Sequence, residues 1–509
     1  MIIIMGDSVF INFQGHSCES GRGETVLSAL VRGGAALSAP CGGRGICGKC
    51  RLTLIKGSVR LAETGAEIKS GGSFCACRAL ALSDITVSEG EGIDAPLAVM
   101  RAKTGGKVLR AGLGIDIGTT TVQAQLVDLD TGETLQTFSG LNSQRGFGAD
   151  VMSRIQAARD GKTSGLFSAV NRQVEEILRQ CIADWNLPCI ERCTVSGNTT
   201  MLHLFCGTDP SSMGEAPYTP AFLQERSFEG RELSLSADHI TLLPGISAFV
   251  GADIVCGLAF LDIMNRGEDS LFADIGTNGE IAVWKDSERR LFCCSTAAGP
   301  CFEGAEISCG MGAVSGAVNR ISLSEDALGA TGFKFGPLFY TTLGNEKARG
   351  ICGAGLIDAV AVMKKLSAID ETGALADKYS PTGFPLAEGI VITQRDVRQF
   401  QLAKSAIYSG IKVLCKTAGI EPENLGTAHI AGGLGFFINI ENAVEAGLLP
   451  RELAVKTAVC GNTSLNGAVK SLTDPSFLPR CREIISFSRT VELALDSGFA
   501  EMFANNMTF

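Results

Sequence analysis

Two groups of residues in this 509-residue chain have the types and spacing for chemistry. The first is Cys41-Gly-Gly-Arg-Gly-Ile-Cys47-Gly-Lys-Cys50, three cysteines separated largely by glycine. Thiolates are soft metal ligands. A loop that wraps a metal–sulfur centre must turn backbone N–H groups towards buried sulfurs, and bulky Cβ atoms would hold the backbone away. The second is a repeat, Asp116-Ile-Gly118-Thr119 and Asp274-Ile-Gly276-Thr277, whose copies lie about 160 residues apart, an internal duplication signal. The first copy continues as Thr120-Thr121 and the second as Asn278-Gly279. A hairpin turn of this composition presents N–H groups and hydroxyls as an anion nest. The aspartate before it can hold Mg²⁺ against phosphates, directly or through water. Two such hairpins facing each other would clamp a triphosphate from both sides.

The cysteine spacing is Cys41-x5-Cys47-x2-Cys50, with a further cysteine roughly 26 residues on. It is similar to the C-x4-C-x2-C…C pattern of plant-type [2Fe–2S] ferredoxins, and the extra residue in the first gap resembles the vertebrate-type variant of that fold. A zinc knuckle is the competing reading. Zinc sites prefer two C-x2–4-C pairs, and Cys75-x-Cys77 is too tight for one. Cys75 and Cys77 are both available as fourth ligand, on the same side of an expected strand, and spacing does not choose between them.

Composition narrows the class. The length predicts two to four domains, and 45% apolar content supports large cores. Net charge is −10 with no Lys/Arg block, which argues against a nucleic-acid partner. The 62 glycines show no Gly-x-y period and point to tight turns. The first residues lack a basic segment, so no signal peptide is read. The apolar run 246–264 carries Asp253 and Asp262, which fits a buried segment and no membrane span. Nineteen cysteines in such a chain suit a reducing cytoplasm.

Elements must position these residues. Residues 8–13 alternate as a strand, Thr25–Val31 reads as a short helix, and residues 51–55 alternate again, giving a small β-grasp-like α+β domain over 1–93. Residues 94–110 have little periodicity and read as a linker that lets the first domain swing. From 111 to 509 the pattern is α/β, in two lobes at roughly 111–265 and 266–509. Ala428-His-Ile-Ala431-Gly432-Gly433-Leu-Gly435 is expected as a buried strand ending in a turn that a nucleoside can approach closely. Residues 396–419 are expected as a helix with a Thr393/Asp396 capping box and Gly419 as its stop.

Strand–hairpin–strand twice, then a glycine-rich nucleoside turn, resembles the actin, sugar kinase and Hsp70 ATPase superfamily (ASKHA). The resemblance makes Asp116–Thr121 (Gly118, Thr119, Thr120, Thr121) the first phosphate loop and Asp274–Gly279 (Gly276, Thr277, Asn278, Gly279) the second. Residues 431–435, with Gly432, Gly433 and Gly435, become the adenosine loop. Together with Gly148-Ala-Asp150-Val, Gly197-Asn198-Thr-Thr-Met, Ala298-Gly-Pro300 and Gly350-Ile-Cys-Gly-Ala-Gly355, the chain resembles the reductive activators of corrinoid proteins, a [2Fe–2S] ferredoxin domain fused to an ASKHA-type ATPase. The resemblance implies a [2Fe–2S] cluster on Cys41, Cys47, Cys50 and Cys77, with Cys75 a packed thiol. It implies ATP and Mg²⁺ handled by Asp116 and Asp274, and a Co(II) corrinoid protein of a methyltransferase system as partner. The electron donor would be a ferredoxin, flavodoxin or reductase, and the chain a homodimer.

Blander readings apply elsewhere. His203 is expected to be packed, and Cys293, Cys294, Cys301, Cys309 and Cys352 to be core thiols. Asp150 and Asp253 are expected as helix caps or turn ligands ahead of Mg²⁺-water or partner positions. Glu303 is a candidate to orient the water that attacks ATP, with a structural hydrogen bond equally open. The competing functions are an ATP-coupled donor to another low-potential acceptor such as a dehydratase, a redox-sensing small-metabolite kinase, and a chaperone-like ATPase.

Overall fold

The computed structural model describes residues 9–13, 16–21, 23–33, 35, 37, 43, 50–89, 98–101, 110–324 and 332–509. Cys41 and Cys47 lie outside the described residues. The described residues form two compact units divided between Leu243 and Pro244.

The first unit begins with the strands β1 (Val9–Phe13) and β2 (His16–Ser20), the helix α1 (Val26–Arg32), then β3 (Arg51–Lys56), β4 (Ser58–Leu61), β5 (Glu67–Lys69), β6 (Ser73–Cys75), β7 (Ala79–Ala81) and β8 (Ile85–Glu89). Five of the strands make a sheet in the order β2-β1-β8-β3-β6. Alternation works as expected: Ile11 and Phe13 of β1, and Leu52 and Leu54 of β3, are buried. They pack with Val26, Leu27 and Leu30 of α1 in one core, and burying each such side chain stabilises the fold by about 2 kcal/mol. Helix α1 starts one residue later than expected, because the Thr25 hydroxyl caps it by accepting from Ser28 N at 3.2 Å.

The chain then forms β9 (Ala98–Arg101), β10 (Ala111–Ile117), β11 (Thr121–Asp128) and β12 (Thr134–Leu141), followed by α2 (Val151–Ala157), α3 (Thr163–Trp185), β13 (Arg192–Gly197), α4 (Thr199–Phe205), β14 (Arg226–Glu229) and β15 (His239–Leu242). They build a seven-stranded sheet in the order β14-β15-β13-β10-β11-β12-β9. Strand β9 corrects the expectation of an irregular 94–110 segment: Ala98–Arg101 pairs antiparallel with Gln136–Ser139 of β12. Helix α1 packs close to Gly146, where an added Cβ would sit 2.5 Å from Val31 Cγ2.

The second unit opens with α5 (Ala252–Phe260), ahead of the 265/266 boundary read from the sequence. Next come β16 (Ser270–Ile275), β17 (Gly279–Lys285), β18 (Arg290–Thr296), β19 (Ala317–Leu323), β20 (Phe333–Phe335), β21 (Leu338–Thr342) and β22 (Gly350–Ile351). After them follow α6 (Gly353–Lys365), β23 (Phe384–Ala387), β24 (Ile390–Ile392), α7 (Gln394–Ala418), β25 (Thr427–Ala431) and α8 (Ile440–Glu445). The chain ends with β26 (Thr457–Gly461), α9 (Thr463–Thr473), α10 (Phe477–Phe487), β27 (Ser488–Thr490) and α11 (Phe499–Asn505). The main sheet has the order β26-β25-β16-β17-β18-β27. Helix α5 joins this unit because it packs tightly on α9: a Cβ on Gly257 would meet Thr463 Oγ1 at 2.6 Å, and one on Gly467 would meet Cys256 Cβ at 2.7 Å. Helix α7 has the expected Thr393/Asp396 capping box and ends at Gly419 in the left-handed conformation.

The repeat is topological as well as sequential. Strand β10 pairs antiparallel with β11 and parallel with β13, and β13 pairs parallel with β15. Strand β16 does the same with β17, β25 and β26 in turn.

Candidate functional site

In the ferredoxin domain, Cys50 is buried just before β3 and its Sγ lies 3.3 Å from Cys77 Sγ. Cys75 and Cys77 do not share a strand face, as the sequence suggested: Cys75 ends β6, and Cys77 sits in a 3-10 turn over Ala76–Arg78. The bond from Ala76 N to Cys50 O (2.8 Å) holds this turn against the end of the cysteine loop. Gly43 has φ +84°, and a Cβ there would contact Leu27 Cδ2 at 3.2 Å and Cys77 Cβ at 4.0 Å. The buried Cys50 thiol and the half-buried Cys77 thiol converge beside a left-handed glycine, a donor set that fits an iron–sulfur cluster. Cys75 is half-buried against the domain core, and burial pushes its thiol up.

The two aspartates of the repeat stand out in the same way. Strand β10 is buried along its length except at Asp116, and β16 except at Asp274. Each is the penultimate residue of a central strand, so the strand end delivers one carboxylate to the turn. In the first turn Gly118 N donates to Thr121 O (3.0 Å). Its carbonyls are engaged from within the unit. Asn142 Nδ2 donates to Gly118 O (2.8 Å) and Asn142 N to Thr120 O (2.8 Å). Arg154 Nη2 donates to Thr119 O at 2.5 Å, and Asn198 Nδ2 to Thr119 Oγ1 at 3.0 Å. A loop whose carbonyls are held inward can offer its N–H groups to an anion.

The second turn is shorter. Ile275 pairs with Gly279, whereas Ile117 pairs with Val122, so the residue opposite the aspartate is Glu280 in one copy and Gln123 in the other. Glu280 is buried and accepts from Ser295 Oγ at 3.2 Å. Burial, then the neighbouring Asp253 and Asp274 carboxylates, push its pKa well above the usual carboxylate range. The Thr277 hydroxyl donates to Glu303 Oε2. Glu303 ends a 3-10 turn over Pro300–Glu303, flanked by Gly299 (φ +78°) and Gly304 (φ +81°). Phe302 anchors that turn on Phe400 of α7, with ring centroids 5.9 Å apart.

The 431–435 segment starts on the last residue of β25, with Gly433 and Gly435 in a 3-10 turn and Asn439 capping α8. Gly432 has φ +89°, and a Cβ on it would lie 2.5 Å from Asp274 Oδ1. The counterpart in the first unit is Gly197, at the end of the strand beside β10, where a Cβ would lie 2.6 Å from Ile117 O. The next residues differ. Asn198 fills its place and caps α4 by accepting from Met201 N (3.0 Å), whereas a Cβ on Gly433 meets nothing within 4 Å. The Gly461-Asn462-Thr463 echo of Gly197-Asn198-Thr199 is not this counterpart, since it ends β26, one strand further out.

Other residues are structural. His203 is fully buried, with Nδ1 2.7 Å from Thr199 O and Nε2 accepting from Ala221 N at 3.0 Å. Asp150 caps α2 in a capping box with Ser153. Burial pushes Cys293 up to about 12 and raises Cys294, Cys301 and Cys352, as befits core thiols. Among the described residues no group of three or more His, Cys, Asp or Glu is placed to hold a metal ion. Sequence reasoning missed Asn142, Arg154 and Glu280 as parts of the loops. The one available signal was the carboxylate directly after Gly279.

The fold and these sites define a ferredoxin domain of the [2Fe–2S] type joined to a duplicated ASKHA-type domain. Family models agree along the chain: the 2Fe-2S iron-sulfur cluster binding domain matches residues 9–82, the RACo middle region 111–266, and the C-terminal ASKHA domain of RACo 268–509. The chain belongs to the family of reductive activators of corrinoid proteins. It is 33% identical over 429 residues to the corrinoid activation enzyme RamQ of Eubacterium limosum, covering 78% of this chain and 70% of that one. It is 31% identical over 402 residues to the [Co(II) methylated amine-specific corrinoid protein] reductase of Methanosarcina barkeri, covering 73% and 72%. A solved reductive activator for corrinoid,iron-sulfur protein superposes with a TM-score of 0.70 at 27% identity, over 98% of each chain. Among the described residues, no helix is long and apolar enough to cross a membrane.

Proposed function

We propose that this chain is an ATP-dependent reductase that converts the Co(II) form of a corrinoid protein in a methyltransferase system to the methyl-accepting Co(I) form. The observation that carries the reading is the identity shared with a corrinoid activation enzyme and a Co(II) corrinoid protein reductase over more than two thirds of each. A [2Fe–2S] cluster held by Cys41, Cys47, Cys50 and Cys77 supplies one-electron storage when bound. The electron comes from a ferredoxin, flavodoxin or reductase in the cytoplasm, and the chain works as a homodimer.

The protein's own residues have separable tasks. Cys50 and Cys77 are preset with converging sulfurs, so cluster binding requires little rearrangement at that end. Gly118–Thr121 and Gly276–Gly279 bind nucleotide phosphates through their amides and hydroxyls, while Asp116 and Asp274 hold Mg²⁺. Gly432, Gly433 and Gly435 let adenosine approach the backbone. Glu303 orients the hydrolytic water, and Thr277 holds the Glu303 carboxylate in place until phosphate arrives. Reduction of a low-potential corrinoid is uphill, so nucleotide binding must favour one conformation of the complex over another by differential affinity.

The test mixes the chain, a reductant and a Co(II) corrinoid protein, and follows the cobalt absorption spectrum with and without ATP. Co(I) that appears only with ATP is expected. ATP-independent reduction, or none, would overturn the reading, and a phosphorylated small molecule would move it to a kinase.

A further inference from the structure

Arg154, three residues beyond the Gly148-Ala-Asp150-Val motif, is fully buried beneath the turn read as the first phosphate loop. Its guanidinium spans three segments. Nε donates to Gly148 O (3.1 Å) and Nη2 to Thr119 O (2.5 Å), while Nη1 contacts Gln144 Oε1 (3.4 Å) and Met201 Sδ (3.0 Å). Helix α2, which carries it, is fixed at its start by the Asp150/Ser153 capping box. Gln144 is fixed by donating through Nε2 to Leu166 O (3.0 Å).

We infer that Arg154 is the positioning residue of the first phosphate loop. It sets the Thr119 peptide so that the N–H groups that follow face an incoming phosphate, and it places a permanent positive charge behind that turn. The proposal rests on the reading of Gly118–Thr121 as a phosphate loop. A guanidinium suits the task because it stays protonated when buried and carries donors in a rigid planar fork. That fork ties the Thr119 and Gly148 carbonyls together at one spacing. The other ties to the loop, Asn142 to Gly118 and Thr120 and Asn198 to the Thr119 hydroxyl, do not touch the Thr119 carbonyl. Loss of Arg154 therefore frees that peptide to rotate while the rest of the hairpin stays tied.

The test uses the full-length holoprotein with Arg154→Lys and Arg154→Met. ATP affinity is measured by calorimetry, the KM and kcat of hydrolysis by steady-state assay, and amide exchange at Thr119–Thr121 without nucleotide. Arg154→Met is expected to weaken ATP binding about ten- to a hundredfold, the range for losing a charged hydrogen bond. The loss should fall in KM more than in kcat, with faster exchange at the turn and unchanged exchange in β13. Arg154→Lys, which keeps charge but not the fork, should recover part of the affinity. A protein that binds no ATP before mutation would overturn the phosphate-loop reading and this inference together. Binding by the wild type with equal binding by both variants would overturn the inference alone. Failure of both variants to fold would make Arg154 a core residue and overturn it as well.

Discussion

Gly432→Ala tests how the Asp274 turn and the 431–435 turn, proposed above as phosphate and adenosine loops, are built. Gly432 has φ +89° and ψ −179°, a region open essentially to glycine alone, and forcing alanine into it costs about 1–3 kcal/mol. The added Cβ would lie 2.5 Å from Asp274 Oδ1, 2.9 Å from Ile275 O and 3.2 Å from Ile275 N. Strand β16 cannot yield easily, because it is paired on both sides, to β17 and β25. Overpacking of this kind adds about 1–3 kcal/mol. The sum, about 2–6 kcal/mol, is a large share of a stability of about 5–15 kcal/mol. The thermal midpoint of the second unit should fall on the order of 10 °C, at about 2–4 °C per kcal/mol for a unit of this size. Its neighbour is the control: Gly433→Ala meets nothing within 4 Å and should change stability by less than about 0.5 kcal/mol. Gly433→Leu should also fold but fill the space read as the nucleoside's and weaken ATP binding. Differential scanning calorimetry and ATP titration of the three variants give the answer. A Gly432→Ala protein with the wild-type midpoint would refute the steric reasoning, and a Gly433→Leu protein with wild-type ATP affinity would refute the assignment of the turn.

Three further outcomes are expected. Cys77→Ala should lose the [2Fe–2S] absorption and electron paramagnetic resonance signals while Cys75→Ala keeps them, since Cys77 Sγ lies 3.3 Å from Cys50 Sγ on a 3-10 turn beside Gly43 whereas Cys75 stays at the end of β6; the reverse pattern would exchange their roles. Glu303→Gln should lower kcat for ATP hydrolysis about a hundredfold with little change in KM, the size expected for a lost general-base or water-orienting group, and an unchanged kcat would leave Glu303 as only a partner of Thr277. Asp358 is buried between Ile321 N (3.1 Å) and Asn442 Nδ2 (2.7 Å), and burial raises its pKa to about 6 from 3.8. The folded state thus binds the proton more tightly than the unfolded state, so the group's contribution to stability is full below about pH 4 and falls as pH rises towards 6, by about 3 kcal/mol in total at 1.36 kcal/mol per unit. Asp358→Asn, with the Asn442 amide reversed to accept, should remove that decline in urea titrations across this range; an unchanged slope would count against it.

The strand ends, turns and caps were legible because they depend on local chemistry. Asp-Ile-Gly-Thr after an apolar run can be read as a strand meeting a turn, and Thr393 with Asp396 as a helix start. The residues that brace the turns were not legible. Asn142 and Arg154 reach Gly118 and Thr119 from 24 and 35 residues away, and no local period records such a contact. Glu280 was in plain view after Gly279, but its burial depends on the turn being one residue shorter than its counterpart, which only strand register reveals. Strand β9 escaped notice because four edge residues are too few for alternation to register. The Cys75/Cys77 choice could not be made from spacing, because it turns on a 3-10 turn that carries Cys77 off the line of β6.

The unequal ends of the two paired sheets bear on stoichiometry. A protein built twice around the same hairpin could in principle carry two nucleotides per chain. Here the amide of Asn198 is spent on its own helix and on Thr119, while the matching Gly433 leaves its surroundings open. On the proposed reading of residues 431–435 as the adenosine turn, titration should saturate at one equivalent of ATP per chain. A single cluster of the [2Fe–2S] type cycles one electron, so each chain would carry one nucleotide for one reducing equivalent.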